Sequence, residues 1–286
     1  MNDTAIEPEN PPIFLKLGGS LITEKDRPRT PRLNTINRLA SEISTAFARK
    51  PNLRLVLGHG AGSFGHVSAQ EHGTRAGVRT PEEWRGFAEV WWDASTLNRM
   101  VMEALQSAGL PAIAFPPSAG VTAHDGQVAR WDLYPLKAAL REGLLPVVYG
   151  DVIFDVHRGG TILSTEDLFA HLARELHPSR ILLAGIEPGV WADYPQCTRL
   201  VHEITSENIA EIAMGLGGSV AADVTGGMES KVHHSLELVL ANPGSEVLIF
   251  SGEERRTVRE TLLGGKFGTV VTSGNRNHHS PEQPIV

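Results

Sequence analysis

Short apolar runs alternate with longer amphipathic stretches along most of this chain, and glycine closes many of the runs. Ile13-Phe-Leu-Lys-Leu17 predicts a strand interrupted by one lysine, which runs directly into Gly18-Gly19-Ser20. A polar loop from Asp26 to Thr30 precedes a predicted helix over about residues 33–49. The run beginning at Arg54 predicts a buried strand that breaks into Gly58, Gly60, Gly62 and Gly65, with a helix starting near Ser63. Thr80-Pro81-Glu82-Glu83 reads as N-cap, first helical residue and capping-box partner of a helix reaching about Gln106.

Further on, Pro111–Phe115 predicts a short strand, and Val121–Val128 a hairpin-like segment turning at Asp125-Gly126. A helix over Leu133–Arg141 closes at Gly143, and a buried strand, Leu144–Tyr149, enters Gly150-Asp151. Val152–Val156 and Thr161–Leu163 flank His157-Arg158-Gly159-Gly160 as a second hairpin, and Ser164-Thr165-Glu166-Asp167 caps a helix to about Leu176. Strands are predicted at Arg180–Ala184, Glu246–Phe250 and Gly268–Val271, with Trp191–Leu200 irregular and Ser206–Met214 helical. A second glycine-rich loop, Asp223-Val-Thr-Gly-Gly227, opens a helix carrying Lys231.

With 286 residues the chain can form one large α/β domain or two lobes. Its formal net charge of −7 and lack of a basic run argue against a nucleic-acid partner. A single cysteine, Cys197, excludes an intramolecular disulfide and a cysteine zinc cluster, and fits a reducing cytoplasm. No stretch approaches the ~18–20 apolar residues of a membrane span. Residues 1–12 lack the features of a signal peptide and are expected to be a disordered lead, as residues 272–286 are a disordered tail in which His278-His279 makes no metal site.

The glycine loops carry the candidate chemistry. Glycine lets backbone N–H groups approach an anion closely, and a helix N-terminus adds unpaired amides and a positive dipole end. Lys16 inside a strand needs a negative partner, and two glycines follow where a phosphate could sit; Lys25 joins it as a second candidate cation. Asp151 stands at a strand's C-terminal end, where open α/β sheets place ligands. Gly60-Ala-Gly-Ser-Phe-Gly65 is a literal dinucleotide fingerprint, but the acids at the required distance, Glu82 and Glu83, lie in a helix start, so a nicotinamide enzyme is disfavoured. Trp84, Phe87, Trp91 and Trp92 put aromatics along one helix, as core packing or as an apolar substrate wall.

Taken together, Lys16-Leu-Gly-Gly-Ser20, Gly58-His-Gly-Ala-Gly-Ser-Phe-Gly-His66, Gly150-Asp151 and Asp223-Val-Thr-Gly-Gly-Met228 resemble the amino acid kinase superfamily over about residues 13–271. The histidine ending Gly-Ser-Phe-Gly-His66 and the Asp-Val-Thr-Gly-Gly-Met-x-x-Lys loop resemble its isopentenyl phosphate kinases. That resemblance implies a three-layer α/β/α sandwich with a mainly parallel central sheet. Residues of about 13–176 would bind the acceptor and about 177–271 the ATP, with Mg2+ bridging the β- and γ-phosphates and a homodimer as the assembly. It implies Lys16 and Lys25 on the transferred phosphoryl, Asp151 orienting the lysines, and His66 on the acceptor phosphate. Gly18, Gly19, Ser20, Gly62, Asp223, Thr225, Gly226, Gly227 and Lys231 would serve ATP. Gly60, Ala61, Thr165 and the Trp84/Phe87/Trp91 helix would serve the acceptor, and His59 a structural role in its loop.

Two stretches depart from the family pattern: Ser164-Thr-Glu-Asp167 where relatives often have Ser-Gly-Asp-Asp, and Ala184-Gly-Ile-Glu-Pro-Gly189 near the nucleotide. The rival readings are a fosfomycin-type kinase with a smaller, more polar pocket, and an inactive nucleotide-binding regulator.

Overall fold

The structure, a computed structural model, describes residues 10–210, 212 and 227–274. The first elements are β1 (Ile13–Leu17), α1 (Gly19–Ile22), α2 (Leu33–Arg49), β2 (Leu55–His59), α3 (Gly62–His72) and α4 (Pro81–Ser107). Then come β3 (Ala112–Ala114), α5 (Pro117–Gly120), β4 (Val121–His124), β5 (Gln127–Trp131), α6 (Tyr134–Arg141) and β6 (Leu145–Tyr149). β7 (Asp151–Asp155), β8 (Gly159–Leu163), α7 (Thr165–Leu176), β9 (Arg180–Gly185), β10 (Val190–Trp191), β11 (Leu200–Val201) and β12 (Glu203–Ile204) follow. The chain closes with α8 (Gly227–Ala241), β13 (Glu246–Ser251), α9 (Thr257–Leu262) and β14 (Thr269–Val271). The expectations for Asp223, Thr225 and Gly226, for residues 1–9 and 275–286, and for residues 211, 213 and 214 of the helix read at Ser206–Met214 lie outside the described residues. At the inner margins of the two ends, Pro12 accepts the Ser179 N–H and Thr272 is buried, so the ordered chain reaches into both.

The central sheet has the order β12-β14-β13-β9-β1-β2-β6-β3. The six strands from β13 to β3 are mutually parallel, and only β14, antiparallel to β13, with its parallel neighbour β12, reverses direction. β1 is therefore central, so the lysine in it does not reach solvent from a sheet edge.

Alternation along each strand feeds two cores. Leu15 and Leu17 of β1, Leu57 of β2, Val147 of β6, Leu182 of β9 and Leu248 of β13 pack under α2, α4 and α9. Phe14, Val56, Val148, Ile181 and Val247 face the other way, under α6, α7 and α8. Both faces are buried, the arrangement a parallel sheet requires. The resulting three layers are those of an α/β/α sandwich.

The two hairpins merge into a second sheet of order β5-β4-β7-β8, in which β4 and β7 run parallel. Positive φ at Asp125 (52°) and Gly126 (77°) gives the first hairpin the turn whose twist matches its strands. Asp155 ties both tips together, accepting N–H bonds from Gly126, His157 and Arg158 at 2.8–2.9 Å and from Asp125 at 3.2 Å. Burial works against ionisation there, but these four donors win and hold the carboxyl down at about 2. The sheet packs Val152 against Val78, Phe87 and Val90, which fastens it to α4.

Candidate active site

Parallel strands end together, so the carboxyl ends of β1, β2, β6, β9 and β13 share one edge of the sheet. Leu17 is in register with His59 and with Ala184, His59 with Tyr149, and Ala184 with Phe250. A crevice outside such ends is where α/β sheets hold ligands.

Lys16 stands one residue before that edge, in register with Gly58. Its ammonium pairs with Glu166, the second residue of α7, in a partly buried contact. Burial alone would raise the Glu166 carboxyl; the charge and hydrogen bond of Lys16, with the field of Lys231, outweigh it and hold it below the usual range. His234, three residues after Lys231, donates from Nε2 to the Glu166 carbonyl at 3.3 Å. Lys16, Glu166 and the helix carrying Lys231 therefore meet at one point, although about 150 residues separate the first pair. Lys16 does need an anionic partner, and that partner is Glu166 rather than Asp151. In the sequence, position 166 belongs to a helix cap and to a departure from the family pattern, and the need of Lys16 for an anionic partner is the only signal that points to it.

The glycine loops after β1 and β2 lie backbone against backbone. A Cβ on Gly19 would fall 2.5 Å from the Gly62 nitrogen, with main chain on both sides and no flexible atom to yield. Gly62 itself has φ 50°, and a Cβ there would meet Thr23 Oγ1 at 2.2 Å. Thr23 Oγ1 donates to Gly19 O at 2.8 Å and accepts the Ser63 N–H at 2.9 Å. The amide of Ser63 at the start of α3 is thus spent inside the protein, contrary to the expectation that it faces a ligand. Gly18, Gly19, Ser20, Gly60, Ala61 and Gly62 belong to these two adjoining loops. Gly19 and Ser20, in the first turn of α1, have no intrahelical acceptor for their amides.

Behind the loops, His59 is fully buried. Its Nδ1 donates to Gly60 O at 3.1 Å, Nε2 accepts from the Asn98 amide at 3.1 Å, and the ring stacks on Tyr149 with 5.4 Å between centroids. Burial pushes it down to about 4, so it is neutral and structural. Thr165 Oγ1 donates to His59 O at 2.6 Å. The hydroxyl expected to serve an acceptor phosphate therefore points inward and is occupied. Asp151, at the start of β7, is buried; Oδ2 accepts the Ser118 N–H at 3.1 Å and Oδ1 that of Val152 at 2.9 Å. Burial pushes it up to about 6 against the pull of those bonds.

Lys25 is exposed in the loop 24–30 that follows α1. His66 lies in the second turn of α3; its side chain lies outside what the structure describes, as do Asp223, Thr225 and Gly226. The aromatic helix divides. Phe87 is buried and Trp84 partly so, and both pack on Phe154, at 5.2 and 5.8 Å between centroids. Trp91 and Trp92 are exposed and share a shallow hollow with Arg29, Glu89 and Asp93. Trp84 and Phe87 therefore follow the core-packing reading, and Trp91 is the one of the three with a free face.

The sequence model of the Amino acid kinase family matches residues 11–251. The chain belongs to that family. Within the amino acid kinase family it is similar to the isopentenyl phosphate kinase of Methanothermobacter thermautotrophicus, at 36% identity over 272 residues, covering 91% of this chain and 98% of the relative. The isopentenyl phosphate kinase of Haloferax volcanii is 37% identical over 261 residues, with 91% and 98% covered. A crystal structure described as isopentenyl phosphate kinase superposes with a TM-score of 0.76 at 33% identity, covering 91% of this chain and 99% of that one. The large, mostly parallel sheet with helices on both faces is the fold that this superposition matches.

Proposed function

We propose that this chain transfers the γ-phosphoryl group of ATP to the phosphate of isopentenyl phosphate, giving isopentenyl diphosphate and ADP in isoprenoid precursor synthesis. The observation that carries the reading is the partly buried Lys16–Glu166 pair beside two interlocked glycine loops at the carboxyl ends of the central strands. Its support in substrate class comes from relatives of that name matched over nearly their whole length.

Both reactants are anions and the acceptor oxygen already carries charge, so no strong base is required. The work is alignment and neutralisation of charge as it shifts in line. In this reading Lys16, aimed by Glu166, meets the transferred phosphoryl from one side. Lys25 meets it from loop 24–30, most strongly in the transition state. Glu166 holds Lys16 before substrates bind, Asp151 orients the lysines once they are bound, and the backbone of Gly18, Gly19, Ser20 and Gly62 cradles the phosphates. His66, Gly60, Ala61 and the amide of Thr165 receive the acceptor phosphate, and its apolar tail lies along the helix that Trp84 and Phe87 anchor to the core, on the face that Trp91 leaves free. Asp223, Thr225, Gly226, Gly227 and Lys231 hold the nucleotide, so residues 13–176 serve the acceptor and 177–271 the ATP.

Among the described residues no three His, Cys, Asp or Glu side chains converge as a metal site. Mg2+ would therefore enter with the nucleotide rather than on a set of protein ligands, and would supply further neutralisation of phosphate charge beside Lys16 and Lys231. The same reading makes the enzyme a cytoplasmic homodimer, which a light-scattering mass of two chains would support.

The test is ADP release with Mg-ATP and isopentenyl phosphate, run beside fosfomycin and simple alkyl phosphates. Preference for isopentenyl phosphate is expected. Turnover confined to fosfomycin or the small phosphates would retain the chemistry and overturn the substrate.

A further inference from the structure

Loop 24–30, which carries Lys25, is fastened to the acceptor side of the cleft at two places. The first is Ser63, buried at the start of α3. Its amide donates to Thr23 Oγ1 at 2.9 Å, its carbonyl accepts the Arg29 N–H at 3.1 Å, and its hydroxyl accepts the Thr30 N–H at 3.4 Å. All three polar groups of one residue are spent on the segment at either end of the loop.

The second place is Asp93 on α4. Arg29 Nε donates to Oδ1 at 2.7 Å and Nη2 to Oδ2 at 3.0 Å, a planar two-point contact. The Asp93 carboxylate is only 4% exposed, on a helix whose neighbouring residues Val90, Ala94 and Leu97 are core. Burying a carboxylate in such a place is costly unless a cation meets it, so packing does not explain the choice of aspartate. Arg29 makes the contact from φ 51°, a backbone conformation that costs a non-glycine residue energy. Two local costs are thus accepted for one result: the loop carrying Lys25 has a single place to rest.

We infer that Arg29 and Asp93 are positioning residues for phosphoryl transfer: their ion pair, with the Ser63 clasp, fixes where Lys25 stands relative to Lys16 and the acceptor. The inference rests on the role proposed above for Lys25. It requires that loss of the pair act through that lysine and through nothing else.

The experiment measures kcat and KM for Asp93→Asn and Arg29→Gln, each alone and in a Lys25→Ala background, beside Lys25→Ala itself. Each variant alone should lower kcat roughly 10- to 100-fold, the size of effect expected when a reacting group is displaced by about 1 Å. KM for ATP and for isopentenyl phosphate should stay within about twofold, because ground-state binding does not use the pair. In the Lys25→Ala background neither substitution should lower kcat further, whereas a general loss of support would cost as much there as in the wild type. Equal losses in both backgrounds, or an unchanged kcat in both single variants, would overturn the inference while leaving Lys25 its role. Wild-type kcat in Lys25→Ala would remove the proposed role of Lys25 and the inference with it. Melting curves accompany the kinetics; Arg29 is largely exposed, so Arg29→Gln keeps the comparison decisive even where Asp93→Asn does not fold.

Discussion

Asp151 is a carboxylate buried at the edge of the cleft, held by two backbone amides and pushed up to about 6 by burial. A folded-state value above the ordinary one means that the folded protein holds this proton more tightly than the unfolded chain. The stabilisation it gives is fully present below about pH 4 and is lost as pH rises through about 6. At neutral pH the ionised group strains the ligand-free fold and is poised for a cation. Asp151→Asn should therefore raise ligand-free stability at pH 7–8, flatten the fall between pH 4 and 6, and lower kcat. His59, held down at about 4, gives the opposite slope over a similar window, so the difference between variant and wild-type denaturation curves is the quantity to read. A variant curve parallel to wild type would remove the cost assigned to Asp151. Glu166 is the contrasting case, a partly buried carboxylate that lysine holds below the usual range. Glu166→Gln should lower kcat by roughly tenfold or more by freeing Lys16 to wander, with nucleotide KM changed less, as initial-rate kinetics would report.

Among the elements, the caps and turns were legible because their causes are local. The capping box at Thr80 and Glu83 forms as the spacing predicts, with Glu83 N to Thr80 Oγ1 at 3.2 Å and the return bond at 2.9 Å. Thr80→Ala should cost about 1 kcal/mol in thermal or urea unfolding and leave kcat alone. The bounds of β1 and α2 and the turn at Asp125-Gly126 follow from the pattern for the same reason. What the pattern does not contain is which loops touch. Thr23 reaching Ser63, Thr165 turning its hydroxyl to His59, and Glu166 meeting Lys16 are contacts between distant segments, and the first two occupy a group that local reading gave to a ligand. The interlock of the glycine loops is another. Gly19→Ala should destabilise the protein by about 1–3 kcal/mol and reduce kcat sharply, since neither backbone can yield without moving the loops proposed to cradle the phosphates. A Gly19→Ala enzyme of normal stability and rate would mean that the two loops part easily.

At the scale of the molecule, one mainly parallel sheet with both faces buried brings β1, β2, β6, β9 and β13 to a common edge, and the small second sheet fastens itself to α4 beside it. The parallel pairing of β4 with β7 joins two hairpins that look independent in the sequence, because nothing in either records the other's register. The amino acid kinase family match spans this edge, and the function proposed above makes it the place where two phosphates meet. The account stands on the transfer itself. Its most direct test is to incubate the protein with γ-labelled Mg-ATP and isopentenyl phosphate and to identify the labelled product. Label in isopentenyl diphosphate, lost in Lys16→Met, is the predicted result; label released only as inorganic phosphate, or retained on ATP, would contradict it.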